Sequence, residues 1–164
     1  MLTRRLLLLS GGIALAAMSA PFLRTGNAGA SQGNFEVTHS EAEWRKLLTP
    51  EQFAVLRQAA TERPFTSPLL DEHRKGNFAC AGCELPLFAS ETKYDSGTGW
   101  PSFWQPLENA VGSEEDLTFG MVRTAVHCRR CGGHLGHVFD DGPQPTGLRY
   151  CMNGVAMTFK PAAV

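Results

Sequence analysis

The chain has 164 residues, enough for one domain with a real hydrophobic core and hardly for two. Its 15 Lys and Arg, 16 Asp and Glu and 43% hydrophobic residues make an ordinary globular composition with a formal charge of −1. Without a basic stripe, the chain lacks the phosphate-neutralising surface that nucleic-acid binding needs, so no nucleic-acid partner is expected.

In chain order, Thr3-Arg4-Arg5 opens a positive segment, an apolar run follows to about Ala20, and Ala28-Gly29-Ala30 supplies a small-x-small cleavage site. Residues 1–30 read as a cleaved secretory signal of the twin-arginine type, which predicts a periplasmic or secreted protein. The run is broken by Gly11 and Gly12 and falls short of the roughly 20 apolar residues of a membrane span; an uncleaved anchor is the alternative. Cleavage after Ala30 removes Arg4, Arg5 and Arg24 and no acidic residue, leaving 134 residues and a charge of −4.

Residues 31–39 read as a short polar leader and 40–161 as the domain. Ser40 and Glu43 have capping-box spacing ahead of Trp44, Leu47 and Leu48 at helical intervals. A second start follows, with Thr49 as N-cap, Pro50 at the first helical position, Gln52 at the third, then Phe53, Val55 and Leu56. Arg63-Pro64 ends that helix, because the residue before proline is pushed out of the helical region. Beyond Phe65, glycine and proline recur every few residues. The short apolar runs 78–80, 85–88, 121–126, 137–139 and 148–159 predict strands, so the fold class is mainly β with short N-terminal helices.

Four of the five cysteines form two Cys-x-x-Cys knuckles, Cys80/Cys83 and Cys128/Cys131. Each tight turn can aim two thiolates at one ion, and two such pairs complete a closed tetrahedral zinc site with a structural role. The 44 residues between the pairs require them to converge in space. Disulfides or a redox pair are the alternatives in an exported chain, although twin-arginine export of an already folded protein allows zinc loading beforehand. Cys128, Cys131, His134 and His137 also fall at three-residue intervals, but two residues between the cysteine and histidine pairs are too few to wrap an ion, and this ladder would strand Cys80 and Cys83.

Cys151 is the cysteine left over. Read as one strand from Leu148 to Phe159, the C-terminal stretch puts Arg149, Cys151 and Asn153 on one face, with a bulge or twist at Gly154 where the apolar set changes sides. A guanidinium beside the thiol is expected to lower its pKa and raise its thiolate fraction; the alternative is an inert core cysteine.

These segments together resemble the B-type methionine sulfoxide reductases, which act on the R epimer. The resemblance runs from about Glu41 to Lys160 through 48–53, 61–66, both knuckles, 94–103, 133–139 and 148–153. It implies two antiparallel β-sheets, a zinc tetrathiolate away from the active site, and reduction of methionine-R-sulfoxide, free or within proteins. It also implies Cys151 as the nucleophile that becomes a sulfenic acid, His137 as the proton donor and His134 as its neighbour. Trp100 would receive the substrate methyl group, with Phe139, Asp141, Arg149 and Asn153 around the pocket. Two positions depart from the pattern. Thr98 stands where many members have a resolving cysteine, so an external thiol reductant is expected as electron donor; Gly154 stands where serine is common. A monomer is expected. A zinc-stabilised binding module without catalysis and a thiol peroxidase are the competing functions; peroxide needs no methyl-sized aromatic pocket, and binding alone gives no reason to combine Cys151, His137 and Trp100.

Overall fold

The structure, a computed structural model, describes residues 34–163, and the signal read over residues 1–30 lies outside them. Among the described residues no helix is long and apolar enough to cross a membrane. Both predicted helices form where their caps dictate. Helix α1 (Glu41–Leu47) starts at Ser40, whose hydroxyl accepts from the Glu43 amide while the Glu43 carboxylate accepts from the Ser40 amide. Helix α2 (Pro50–Gln58) repeats the arrangement with Thr49 and Gln52. Trp44, Phe53, Val55 and Leu56 are their buried residues.

The remainder is two antiparallel sheets. The smaller, in the order β2-β1-β9, comprises β1 (Gly76–Cys80), β2 (Pro86–Ala89) and β9 (Met157–Pro161). The larger runs β3-β4-β8-β7-β6-β5, with β3 (Lys93–Tyr94), β4 (Ser102–Phe103), β5 (Val111–Asp116), β6 (Arg123–Cys128), β7 (His134–Phe139) and β8 (Arg149–Met152). The core between the sheets is aromatic: Phe88 of the small sheet stacks on Phe103 of the large one at 4.3 Å, and Phe78 meets Phe103 edge-on at 5.0 Å.

The structure changes three expectations. Helix α2 stops at Gln58, with Ala59 in the left-handed region as its C-cap, five residues before the Arg63-Pro64 stop expected to end it. The single strand expected from Leu148 to Phe159 is two strands, because a 3-10 turn over Gly154–Ala156 carries the chain from the large sheet to the small one. The change of apolar face at Gly154 is therefore a change of sheet, and not a bulge. Residues 34–39 also pack onto the domain: the Val37 amide donates to the Arg130 carbonyl, and Phe35 meets His127 edge-on at 5.6 Å.

Candidate active site

The two knuckles converge from the β1–β2 and β6–β7 turns. Cys80 Sγ lies 3.7 Å from Cys131 Sγ, and Cys83 Sγ 3.5 Å from Cys128 Sγ, with all four sulfurs within 4.8 Å of one another. Both short contacts cross between knuckles. They approach the edge of about 3.8 Å that follows from a tetrahedron with 2.3 Å metal–sulfur bonds, and all five cysteines are free thiols. The residues therefore fit one tetrahedral ion. Helix α2 closes over them: Leu56 packs against both knuckle turns at Gly82 and Gly133, and Arg57 Nη1 donates to the Cys131 carbonyl at 2.9 Å.

Cys151 lies elsewhere, on β8 between β4 and β7. Sheet register places His137 directly opposite it on one side, Ser102 opposite it on the other, and Phe139 opposite Arg149. Because side chains alternate, His137, Phe139, Arg149 and Cys151 share the face turned away from the aromatic core, while Tyr150, Met152 and Val138 point into it. Gly136 makes this close pairing possible, since a Cβ there would stand 2.1 Å from the Cys151 carbonyl oxygen.

His137 Nε2 is 2.7 Å from Asp116 Oδ2. Burial pushes the Asp116 carboxyl up, but hydrogen bonds from Thr118 and His137 and the Arg123 charge outweigh it and hold Asp116 well below the usual carboxylate range. An ionised carboxylate only accepts, so His137 Nε2 carries the hydrogen and Nδ1 is left to take up or deliver a second proton. His134 meets His137 edge-on at 5.4 Å, and its buried Nε2 has no partner. Burial, reinforced by the His137 charge, pushes His134 down to about 4, so it is neutral at pH 7. Both histidines, with Asp116, line an open cavity of about 700 Å³.

The cation beside Cys151 does not have the effect expected of it. Burial pushes the Cys151 thiol up, and the opposing influences of Thr98 and Arg149 are insufficient to reverse this. Burial is the largest influence, and Arg149, which acts on the thiol by charge and by a hydrogen bond, is shared: its guanidinium is held by both Asp141 oxygens at 2.8 and 2.7 Å and lies 4.4 Å over the Phe139 ring. The Asp141 charge adds to the upward pressure on the thiol.

Trp100 does not share the histidine cavity. It lines a separate recess with Phe65 and Tyr94, and its indole N–H donates to the Glu62 carbonyl at 3.0 Å. Asn153 is buried with both ends of its amide engaged, Nδ2 donating to the Leu135 carbonyl and Oδ1 accepting from the Glu62 amide. Glu62 thus ties Trp100 to Asn153, while its half-buried carboxylate accepts from the Val155 amide at 2.6 Å. The position of Gly154 is explained by Ser67, whose hydroxyl sits 1.8 Å from where a Cβ at 154 would be.

Sequence reasoning missed Asp116, Glu62 and, in the loop 95–102 from which it took Thr98 and Trp100, the hydroxyls of Ser96 and Ser102. In that loop Thr98 Oγ1 is 3.8 Å from Cys151 Sγ, and Ser96 Oγ lies 2.8 Å from Thr98 Oγ1 and 2.7 Å from Ser102 Oγ. The only local signal for Asp116 is that it accepts from the Thr118 amide and hydroxyl at the start of the β5–β6 turn, which says nothing of His137.

Comparison with known proteins adds the relatives. Residues 48–161 match the SelR domain. The chain is 56% identical over 127 residues to a protein of Agrobacterium fabrum named peptide methionine sulfoxide reductase MsrB, covering 77% of this chain and 94% of that protein. Proteins of the same name from Leptospira interrogans and Methanosarcina barkeri are 52% identical over 128 residues and 54% identical over 125; the alignments cover 77% and 76% of this chain, and 98% and 88% of theirs.

Proposed function

Because this chain belongs to the SelR-domain family of peptide methionine sulfoxide reductases, we propose that it reduces methionine sulfoxide with Cys151 as the nucleophile. The observation that carries the assignment is the pairing of the one cysteine outside the metal cluster with His137, across β7 and β8. The Cys151 thiolate attacks the sulfoxide sulfur while His137, oriented by Asp116, delivers a proton to the oxygen. The attack forms a bond between Cys151 Sγ and the substrate sulfur. The protonated oxygen then passes to Cys151 Sγ as the substrate sulfur–oxygen bond and the new sulfur–sulfur bond break, so methionine leaves with its sulfur lone pair restored and Cys151 is left as a sulfenic acid. An external thiol condenses with that acid, releasing water and forming a mixed disulfide, and a second thiol frees Cys151. Thr98 cannot serve as a resolving thiol, and Cys80, Cys83, Cys128 and Cys131 are grouped as metal ligands, which supports the external route.

Trp100, two residues before the Ser102 that pairs with Cys151, is assigned as the aromatic wall for the methyl group as positive charge develops on sulfur. It acts from a recess separate from the histidine cavity, which neutral His134 lines beside His137. Phe139, Arg149 and Asp141 form the opposite rim, and Asn153 holds the strand end in place. A zinc ion at the knuckles stabilises the fold and takes no part in a reaction step. Export by the twin-arginine route, preference for the R epimer and a monomeric state complete the reading.

The test is consumption of the separate R and S epimers by the metal-loaded protein with dithiothreitol, beside Cys151→Ser. Loss of the R epimer alone, abolished by the substitution, supports the assignment. Consumption of neither epimer by a folded, metal-loaded protein overturns it in favour of a binding module.

A further inference from the structure

Behind Cys151, on the side away from His137, three hydroxyls form a continuous chain. Thr98 contacts the sulfur, Ser96 contacts Thr98, and Ser102 contacts Ser96 at the spacings given above. The chain ends where the Ser102 hydroxyl donates to the Trp100 carbonyl at 3.1 Å. Ser102 is fully buried and stands opposite Cys151 in the sheet register, while the backbone turn that brings Thr98 over the sulfur is fixed by the Gly97 amide donating to Asp95.

A hydroxyl has one proton to give, so these bonds cannot be oriented independently. With Ser102 donating to the Trp100 carbonyl, Ser96 must donate to Ser102 and Thr98 to Ser96. Thr98 then has only lone pairs to offer the sulfur, which suits a thiol, whose S–H it can accept. A thiolate has no hydrogen and only accepts, from the Arg149 guanidinium and from any further donor within reach. All three hydroxyls can rotate to supply one: Thr98 then donates to sulfur, Ser96 to Thr98 and Ser102 to Ser96, and the Trp100 carbonyl gives up its bond from Ser102.

We propose that Thr98, Ser96 and Ser102 are a reversible hydroxyl relay whose donors point away from Cys151 when it is a thiol and turn toward it when it is a thiolate. The three are positioning residues, and the idea rests on the reading of Cys151 as the nucleophile. No proton travels along the relay: the thiol proton leaves to a base in solution and the hydroxyls only reorient. The Trp100 carbonyl acts as the competitor for the relay's protons, so the two ends of the chain have opposite effects. Removing Thr98 takes away the donor to thiolate. Removing Ser102 takes away the pull of the Trp100 carbonyl and frees Ser96 and Thr98 to turn toward the sulfur.

The charged and titratable groups around the sulfur are Arg149 on β8, Asp141 after β7, Tyr94 on β3 and His137 on β7, and none is altered by these substitutions. The experiment is the pH dependence of Cys151 alkylation by iodoacetamide in the metal-loaded protein, located by peptide mass spectrometry, with circular dichroism and metal content to confirm folding. Thr98→Val moves the midpoint up by about one pH unit, the order of one charge-assisted hydrogen bond. Thr98→Ser keeps the wild-type midpoint, and Ser102→Ala moves it down. An unmoved midpoint in Thr98→Val, or an upward or absent movement in Ser102→Ala, overturns the relay. Failure of the nucleophile assignment itself is seen separately, as sulfoxide reduction that survives Cys151→Ser.

Discussion

The protein holds its cysteines in two unlike environments, one built from sequence neighbours and one from strand neighbours. At the knuckles, four sulfurs face each other, three of them on buried cysteines, with Leu56 and Arg57 of α2 packed over the turns. Around Cys151, by contrast, all partners but Arg149 of its own strand come from other elements: His137 from β7, Ser102 from β4, Thr98 from a loop, and Asp116 at one remove from β5. At the knuckles the four sulfurs turn on one another as a closed ligand set, whereas the second site leaves the buried Nε2 of His134 without a hydrogen-bond partner. Closed satisfaction stabilises a fold, while an open, partly satisfied site leaves groups free to act on a substrate.

Removing one knuckle sulfur is the strongest way to test that division. Cys128→Ser leaves an incomplete, buried ligand set and should cost several kcal/mol of stability, up to on the order of 10 if the ion is lost. Thermal denaturation with a metal assay reads this; a metal-free variant with an unchanged midpoint would remove the structural role of the knuckles.

Asp116→Asn tests the other region. It keeps the shape but removes the charge that fixes the His137 hydrogen, so turnover should fall roughly 10²-fold while the urea midpoint changes little. Unchanged turnover would reduce Asp116 to a clamp for the β5–β6 turn.

The smallest effect concerns His134, which begins β7 just after the second knuckle and touches His137. Its pKa is depressed to about 4 in the folded state against 6.5 unfolded, so the unfolded chain takes up the proton first as pH falls. The contribution is complete above about pH 6.5 and is lost toward pH 4, amounting to about 2 kcal/mol by pH 5. Urea midpoints at pH 7.5 and 5 should therefore diverge less in His134→Gln than in the wild type. Equal divergence would exclude His134 as the cause.

The same contrast explains what the sequence made legible. The knuckles and both helix caps depend on residues two or three apart, and each formed as read. The strand β5 was missed because Val111-Gly112-Ser113-Glu114-Glu115-Asp116 has one apolar residue; it is an edge strand, where charge blocks further pairing. Without β5, Asp116 had no route to His137, 21 residues away. The influence of Arg149 on Cys151 was misjudged for a related reason, since the guanidinium is visible in the sequence beside the thiol but its capture by Asp141 depends on how the chain returns after β7.

The meeting of Ser67 and Gly154 constrains how this chain can change. The hydroxyl of one residue occupies the volume that a side chain at the other would need, so only one of the two positions can carry a side chain at a time. The order of substitution therefore matters: a serine at 154 forces Ser67 to move, whereas it meets no such obstacle once residue 67 is glycine. The two positions are sterically coupled, although 86 residues separate them in the sequence.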